Sequence, residues 1–263
     1  MYLDNNEKKL SNEYIENGYI IREVASMESL LWIRANIAAI IRQNLGGSEL
    51  SDEELLNHTH TLVPVSELNH FRLKVIQAMN ALPDLRFHYF NLARKYLETL
   101  VGNELSMQLR VNLSIQFPND DSSLLPIHSD TWSGDSPYEI VVWLPLVDCF
   151  KTKSMYFVPP KVSKILFEKF QQNSGKSSED LFNSISNDVT WLDIKFGQVL
   201  LFDQGYPHGN RVNAETETRW TMNCRFKSVF TPYGDKKLGE FFEPITLRAV
   251  SRAGMRYSFP KIK

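Results

Sequence analysis

At 263 residues, with 43% hydrophobic and 23% charged side chains, the chain can bury a sizeable core and has the balance of a soluble globular protein. Twenty-nine basic residues against 31 acidic ones leave a net charge of −2, so there is no basic footprint for nucleic acid and no polybasic block for a membrane surface. No stretch approaches the roughly 18 to 20 apolar residues of a membrane helix. The start, Met1-Tyr2-Leu3-Asp4-Asn5-Asn6-Glu7, lacks the apolar run of a secretory signal, and a cytoplasmic location is expected.

In chain order, residues 1–104 read as a mostly helical region. Glu28 to Leu45 repeats Leu30, Ile33, Ile37, Ile40 and Ile41 at close to 3.6 residues, and Gly46-Gly47 ends it. Ser51-Asp52-Glu53-Glu54 is a capped helix start. Ser66 to Ala81 and Arg86 to Leu100 are two further amphipathic runs, divided by Pro83 and closed by Gly102. His58-Thr59-His60 falls in the loop between these elements, and His70 and His88 lie in the helical runs as packing or capping residues.

Near residue 105 the period changes to 2. Met107 to Phe117 alternates Leu109, Val111, Leu113, Ile115 and Phe117 with Gln108, Arg110, Asn112, Ser114 and Gln116, a strand with one face in a core. Its polar face lines either a pocket or water. Further strands are predicted at Tyr138 to Val147, Ser154 to Val158, Val189 to Ile194, Gln198 to Phe202 and Arg219 to Phe230, with turn residues between them. Lys161 to Ile185 reads as a helical insertion, an active-site lid or a surface excursion, the second being favoured. Residues 233–263 form a mixed tail packing across the barrel. Together these predict an α+β chain, mainly β with helices, in one domain over 1–263: a jelly-roll core at 105–232, interrupted at 161–186, behind a helical N-terminal third. Cys149 and Cys224 sit in strand-like apolar segments and are read as buried free thiols; their pairing in a disulfide stays open.

His128 and Asp130 are two residues apart, so on extended backbone they face one side and can bind one metal; His208 follows the strand Val199 to Phe202 and a Gly205-Tyr206-Pro207 turn. Two histidines and a carboxylate form the facial set of non-haem Fe(II) sites, which keep positions open for a cosubstrate and O2. Arg219 opens the last long strand with Thr221 on the same face. An arginine fork there suits the carboxylate of a 2-oxo acid; the competing reading is a structural salt bridge at a strand end. Trp132 and Tyr206 are candidates for a substrate pocket or for the core.

Four blocks carry a resemblance: Ile127-His128-Ser129-Asp130; Val142-Trp143-Leu144-Pro145-Leu146-Val147-Asp148; Met155-Tyr156-Phe157-Val158-Pro159; and Lys195 to Phe202 through His208-Gly209-Asn210 to Arg219-Trp220-Thr221. From Gln108 to Phe230 the chain resembles the phytanoyl-CoA hydroxylase-like branch of the Fe(II)/2-oxoglutarate dioxygenases. As a whole it is similar to the oxygenases of sporadic bacterial carbohydrate-biosynthesis clusters. The resemblance implies a double-stranded β-helix, Fe(II) on His128, Asp130 and His208, and 2-oxoglutarate on Arg219 with Thr221. It also implies Trp143 beside the cosubstrate and Arg110 and Asn112 among cosubstrate or substrate contacts. O2 is the co-reactant, and a sugar, nucleotide sugar or surface-polysaccharide precursor the implied substrate. Pro160-Lys161-Val162-Ser163 departs from the family's Gly-Ser-His turn, which puts inherited substrate assumptions in doubt. Asp130 is intact, unlike the small residue of halogenase-like variants. An oxygenase of another small-molecule or natural-product pathway, a redox-silent cupin-like isomerase and a non-catalytic binding protein are the alternatives.

Overall fold

The change of period near residue 105 is where the chain passes from a helical layer to sheet. The computed structural model describes residues 2–169, 175 and 177–261. The helical layer holds α1 (Asn5–Asn17), strand β1 (Tyr19–Glu23), α2 (Met27–Leu45), α3 (Asp52–Asn57), α4 (Thr59–Leu62), α5 (Leu68–Asn80) and α6 (Leu85–Leu100). Its boundaries follow local chemistry. Asp4 with Glu7, and Ser51 with Glu54, form capping boxes that satisfy the first free N–H groups of α1 and α3. Helix α2 starts on the Ser26 hydroxyl and stops at Gly46, whose φ of 76° is left-handed.

The sheet part continues with β2 (Leu105–Gln108), β3 (Asn112–Gln116), β4 (Glu139–Pro145) and β5 (Tyr156–Phe157). After α7 (Pro160–Glu168) and α8 (Ser178–Ile185) come β6 (Thr190–Trp191), β7 (Gln198–Asp203), β8 (His208–Gly209), β9 (Arg219–Ser228), β10 (Phe242–Pro244) and α9 (Ala249–Gly254). The large antiparallel sheet runs β1-β7-β4-β9-β2-β10, with β3 also paired to β9; a smaller sheet, β6-β5-β8, faces it. This is the expected α+β architecture with a jelly-roll core. No helix among the described residues is long and apolar enough to cross a membrane.

The two faces of the large sheet have different work. Outward, Trp220, Met222, Cys224 and Phe226 of β9 join Val142 and Leu144 of β4 and the helix residues Ile33, Ile37, Phe71 and Leu92 in one cluster. Inward, Val141, Trp143, Leu200 and Phe202 pack on Met155 and Phe157 of the small sheet side. Because β4 and β7 are covered on both faces, they read as continuous apolar runs rather than alternating ones.

Four sequence expectations need correction. Tyr19–Glu23, read within a helical region, is a strand paired with β7; a short apolar run has no periodicity that separates strand from helix. The single strand Met107 to Phe117 is two. Met107 pairs with Phe226 and Asn112 with Asn223, so five steps on one side face three on the other. The two extra residues preserve alternation, which is why the pattern looks continuous, yet Leu109 swings out to 39% exposure. Asn80 of α5 pins this bulge, accepting from the Val111 N–H at 2.9 Å and donating to its carbonyl at 3.0 Å. The tail does not cross the barrel: β10 extends the edge of the large sheet beside β2. His58 and His60 bracket the start of α4 instead of lying in a loop, with His60 Nδ1 2.9 Å from Thr218 Oγ1.

The predicted insertion Lys161 to Ile185 holds α7 and α8, and residues 170–174 and 176 lie outside the described ones. Both helices pack down: Ser163 donates to the Val158 carbonyl, and Phe182 lies 4.9 Å from the Tyr156 ring. Cys149 and Cys224 are buried free thiols in separate clusters.

Candidate metal centre and its cavity

His128 and His208, 80 positions apart, are direct cross-strand neighbours. Each N–H donates to the other's carbonyl, at 3.0 and 2.9 Å, and the rings stand 4.5 Å apart. Asp130 does not continue as strand. It opens a tight 3-10 turn, Asp130–Ser133, held because its N–H donates to the Gln204 carbonyl and the Ser129 hydroxyl donates to those of Gln204 and Gly205. One ligand atom from each of His128, Asp130 and His208 falls within 4.8 Å of the others.

The donor set fits a metal. Nδ1 of His128 lies 2.8 Å from the Pro126 carbonyl and Nδ1 of His208 lies 3.0 Å from that of Tyr206. A carbonyl can only accept, so both Nδ1 atoms carry a proton, which leaves Nε2 of each ring as the atom that can meet a metal. Burial, and then the neighbouring His128, push His208 down to about 4, so its ring is neutral at ordinary pH. Burial alone would raise Asp130, but the hydrogen bond with His128 and the charge of Arg225 hold its carboxyl well below the usual range. His128 is raised: burial disfavours its cation, and the Asp130 carboxylate outweighs burial. Without a metal, His128 shares a proton with Asp130 through Nε2; a metal at that point would take the proton's place and meet two lone pairs and a carboxylate.

Beside them lies a cavity of about 250 Å³. His208, Arg219, Thr221, Asn223, Ser114, Trp143, Met155 and Phe202 line it, and Arg72 of α5 closes one side. Among the described residues no Asp or Glu lines it, against two arginines. Arg219 is 3% exposed, and burial pulls its guanidinium down to about 10, still cationic at neutral pH. Its partners are uncharged: Nη1 donates to the Ser154 carbonyl at 3.3 Å, Nη2 to the Ser114 hydroxyl at 3.1 Å, and Nε has no partner. Among the described residues no carboxylate stands within ion-pair distance, which removes the structural salt-bridge reading. A buried cation with an unmet donor is matched by a carboxylate ligand.

Of the residues singled out from sequence, His128, Asp130 and His208 come together, and Arg219, Thr221 and Trp143 line the adjoining cavity. Arg110 does not: it is exposed in the bulge between β2 and β3. Asn112 stands back from the lining and donates to Asn223 Oδ1 at 2.9 Å. Trp132 is 39% exposed and meets Phe167 of α7 edge-on. Tyr206 packs on Phe157. Ser114, on the polar face of Met107 to Phe117 that is read as lining either a pocket or water, lines this cavity; sequence reasoning missed Arg225, whose Nη2 donates to Asp130 Oδ2 at 2.6 Å, and also Asn223, Met155 and Arg72. A signal existed for two of them: Arg219, Thr221, Asn223 and Arg225 are the alternate polar positions of β9. Arg72 had none, since only tertiary packing brings α5 to the edge of β3.

No family model matches the sequence, and no curated protein matches it. Its fold is similar to that of solved structures. The non-heme monooxygenase ThoJ, as its nickel complex, aligns with a TM-score of 0.54 at 14% identity, over 92% of this chain and 85% of that one. HygX from Streptomyces hygroscopicus, with nickel and 2-oxoglutarate bound, gives 0.51 at 13% over 90% of each. SnoK, the non-heme alpha ketoglutarate dependent carbocyclase from nogalamycin biosynthesis, gives 0.54 at 16% over 93% and 97%. At these identities the likeness is one of fold.

Proposed function

We propose that this chain is a non-haem Fe(II)- and 2-oxoglutarate-dependent oxygenase acting on a small molecule. The observation that carries the reading is Arg219, a buried guanidinium with an unmet donor in a cavity free of lining acids, next to a His-Asp-His set. Neither feature alone is specific; a facial metal set and a carboxylate clamp sharing one cavity suit a chelating 2-oxo acid.

His128 and His208 would hold the metal through Nε2, and Asp130 through a carboxylate oxygen. Iron bound there would supply O2 activation coupled to decarboxylation of 2-oxoglutarate to succinate and CO2, with oxidation of a substrate C–H bond. Arg219 would bind the far carboxylate of the cosubstrate, with the Ser114 and Thr221 hydroxyls beside it. Arg72 adds a second positive charge to the same cavity, which suits a dianion. Trp143, Met155 and Phe202 give apolar walls that limit water, so the charge-assisted hydrogen bonds act in a low dielectric.

A sugar, nucleotide sugar or surface-polysaccharide precursor is the substrate class implied by the sequence resemblance. A natural-product scaffold is supported equally, by the likeness of fold to SnoK. Both would be hydroxylated or otherwise oxidised at carbon.

The test is anaerobic addition of Fe(II) and 2-oxoglutarate to metal-free protein. A weak visible charge-transfer band should appear only with both present, and be absent in Asp130→Ala. Iron binding without the band would sink the cosubstrate assignment and favour a redox-silent jelly roll.

A further inference from the structure

The two oxygens of Asp130 are already distinguished. Oδ1 faces His128, 3.4 Å from its Nε2, the ring nitrogen not taken up by the Pro126 carbonyl. Oδ2 accepts from Arg225 Nη2 at 2.6 Å, with the two side chains 11% and 12% exposed. Arg225 is not free to withdraw. Its Nε donates to Gln204 Oε1 at 2.8 Å, and Gln204, fully buried, donates onward to Glu139 Oε2 at 2.8 Å and to the Ser136 carbonyl at 3.1 Å. Asp135, itself held by Lys236, stands 3.5 Å from the same Nε. The backbone is equally fixed, because Arg225 pairs with Val141 of β4 in the middle of the large sheet.

We infer that Arg225 is a positioning residue that keeps Asp130 a one-oxygen ligand. This rests on the metal-centre reading above and adds to it. A carboxylate free at both oxygens can close on a metal in bidentate fashion and occupy one more coordination position. With Oδ2 committed to a guanidinium, only Oδ1 is offered. A six-coordinate ion on His128, His208 and one oxygen keeps about three positions open, the number that a chelating cosubstrate and O2 require. The same strand then carries both devices: Arg219 at one end of β9 faces the cosubstrate, and Arg225, six residues on and on the same side, restrains the ligand. A pair formed for stability alone would leave the number of open positions unchanged when broken, and this is where the two roles part.

The experiment uses Mn(II) in place of iron and reads the number of exchangeable metal-bound waters by water-proton relaxation, without turnover. The wild type should show about three waters. Arg225→Gln should lose about one of them and bind 2-oxoglutarate roughly 10-fold more weakly. Arg225→Lys keeps a cation and should recover most of the lost water. Arg225→Gln with an unchanged water number and unchanged cosubstrate affinity, whatever its thermal stability, would overturn the inference. If Arg225→Gln fails to fold, Arg225→Met, which likewise leaves Asp130 Oδ2 without its guanidinium but introduces no unpaired amide, reads the same quantity, and an unaltered count in it is equally fatal. A wild type that takes up no Mn(II) removes the metal centre itself, an outcome distinct from a bound ion whose waters ignore Arg225.

Discussion

Two buried cations stand almost side by side in this fold and are treated in opposite ways. Lys153 is fully buried, and its Nζ donates to Glu217 Oε2 at 2.6 Å and Asn57 Oδ1 at 2.9 Å. Arg219, which donates to the carbonyl of the very next residue, Ser154, meets only neutral oxygens and leaves Nε unmet. Lys153 ties the turn before β5 to the helical layer through Asn57; its charge is spent within the protein. Arg219 points a charge into the cavity and leaves it uncompensated. A buried charge is costly unless paired. The contrast therefore separates a cation paired within the fold from one that the proposed function assigns to a ligand.

The largest expected effect is on the structural side. Lys153→Met strands the Glu217 carboxylate and the Asn57 amide, and should destabilise the chain by about 3 kcal/mol in denaturant unfolding, somewhat less in so far as Glu217 reaches solvent. Folded protein of this variant should still bind 2-oxoglutarate normally in the presence of metal. Arg219→Met should do the reverse. Cosubstrate affinity should fall on the order of 100-fold, about 2.7 kcal/mol, in an anaerobic titration of the charge-transfer band. The ligand-free protein should be no less stable than wild type. If Arg219→Met unfolds as readily as Lys153→Met, the distinction between the two cations is wrong.

Thermal scans sharpen the same point. With metal present, 2-oxoglutarate at 100 times its Kd should stabilise wild type by about 2.7 kcal/mol and leave Arg219→Met nearly unmoved. A smaller effect is expected at Thr221, whose hydroxyl lines the cavity and would add a single hydrogen bond to the cosubstrate. Thr221→Val should cost the cosubstrate roughly 1 kcal/mol of affinity, about 5-fold. The smallest change concerns Cys149, which feels the charges of both Arg219 and Lys153. Burial nevertheless pushes its thiol up to about 12, as it does that of Cys224. Neither should react with a thiol reagent at pH 8 until the chain unfolds, and rapid labelling of folded protein would contradict the packing described.

Legibility in the sequence followed the range of the interaction responsible. Helices α2, α3, α5 and α6 were readable because caps and a 3.6-residue period act over a few neighbouring positions. Strand β1 was not, because Tyr19–Glu23 becomes a strand only by pairing with β7, some 180 residues later. The His-Asp-His set was legible as residue types in order. Arg110 is exposed and away from the cavity lining, and its placement was not legible because a bulge that preserves alternation is invisible in a period-2 pattern. Arg225 went unread although it lies on the same alternating face as Arg219, since nothing local says which residue it meets.

The sequence by itself determined which chemistry was on offer: two imidazoles, a carboxylate and an arginine in a strand-rich half, with helices before it. Those are properties of side-chain type and short-range periodicity, and they survive without knowledge of any contact. Tertiary structure decided what each group is connected to. The antiparallel bridge between residues 128 and 208 put two imidazoles side by side, and among the described residues the fold supplied Glu217 to Lys153 but no acid to Arg219. Sheet pairing gave one oxygen of Asp130 to Arg225. Whether a charge is satisfied or left waiting depends on neighbours distant in sequence, and only the packed sheets bring those neighbours within reach.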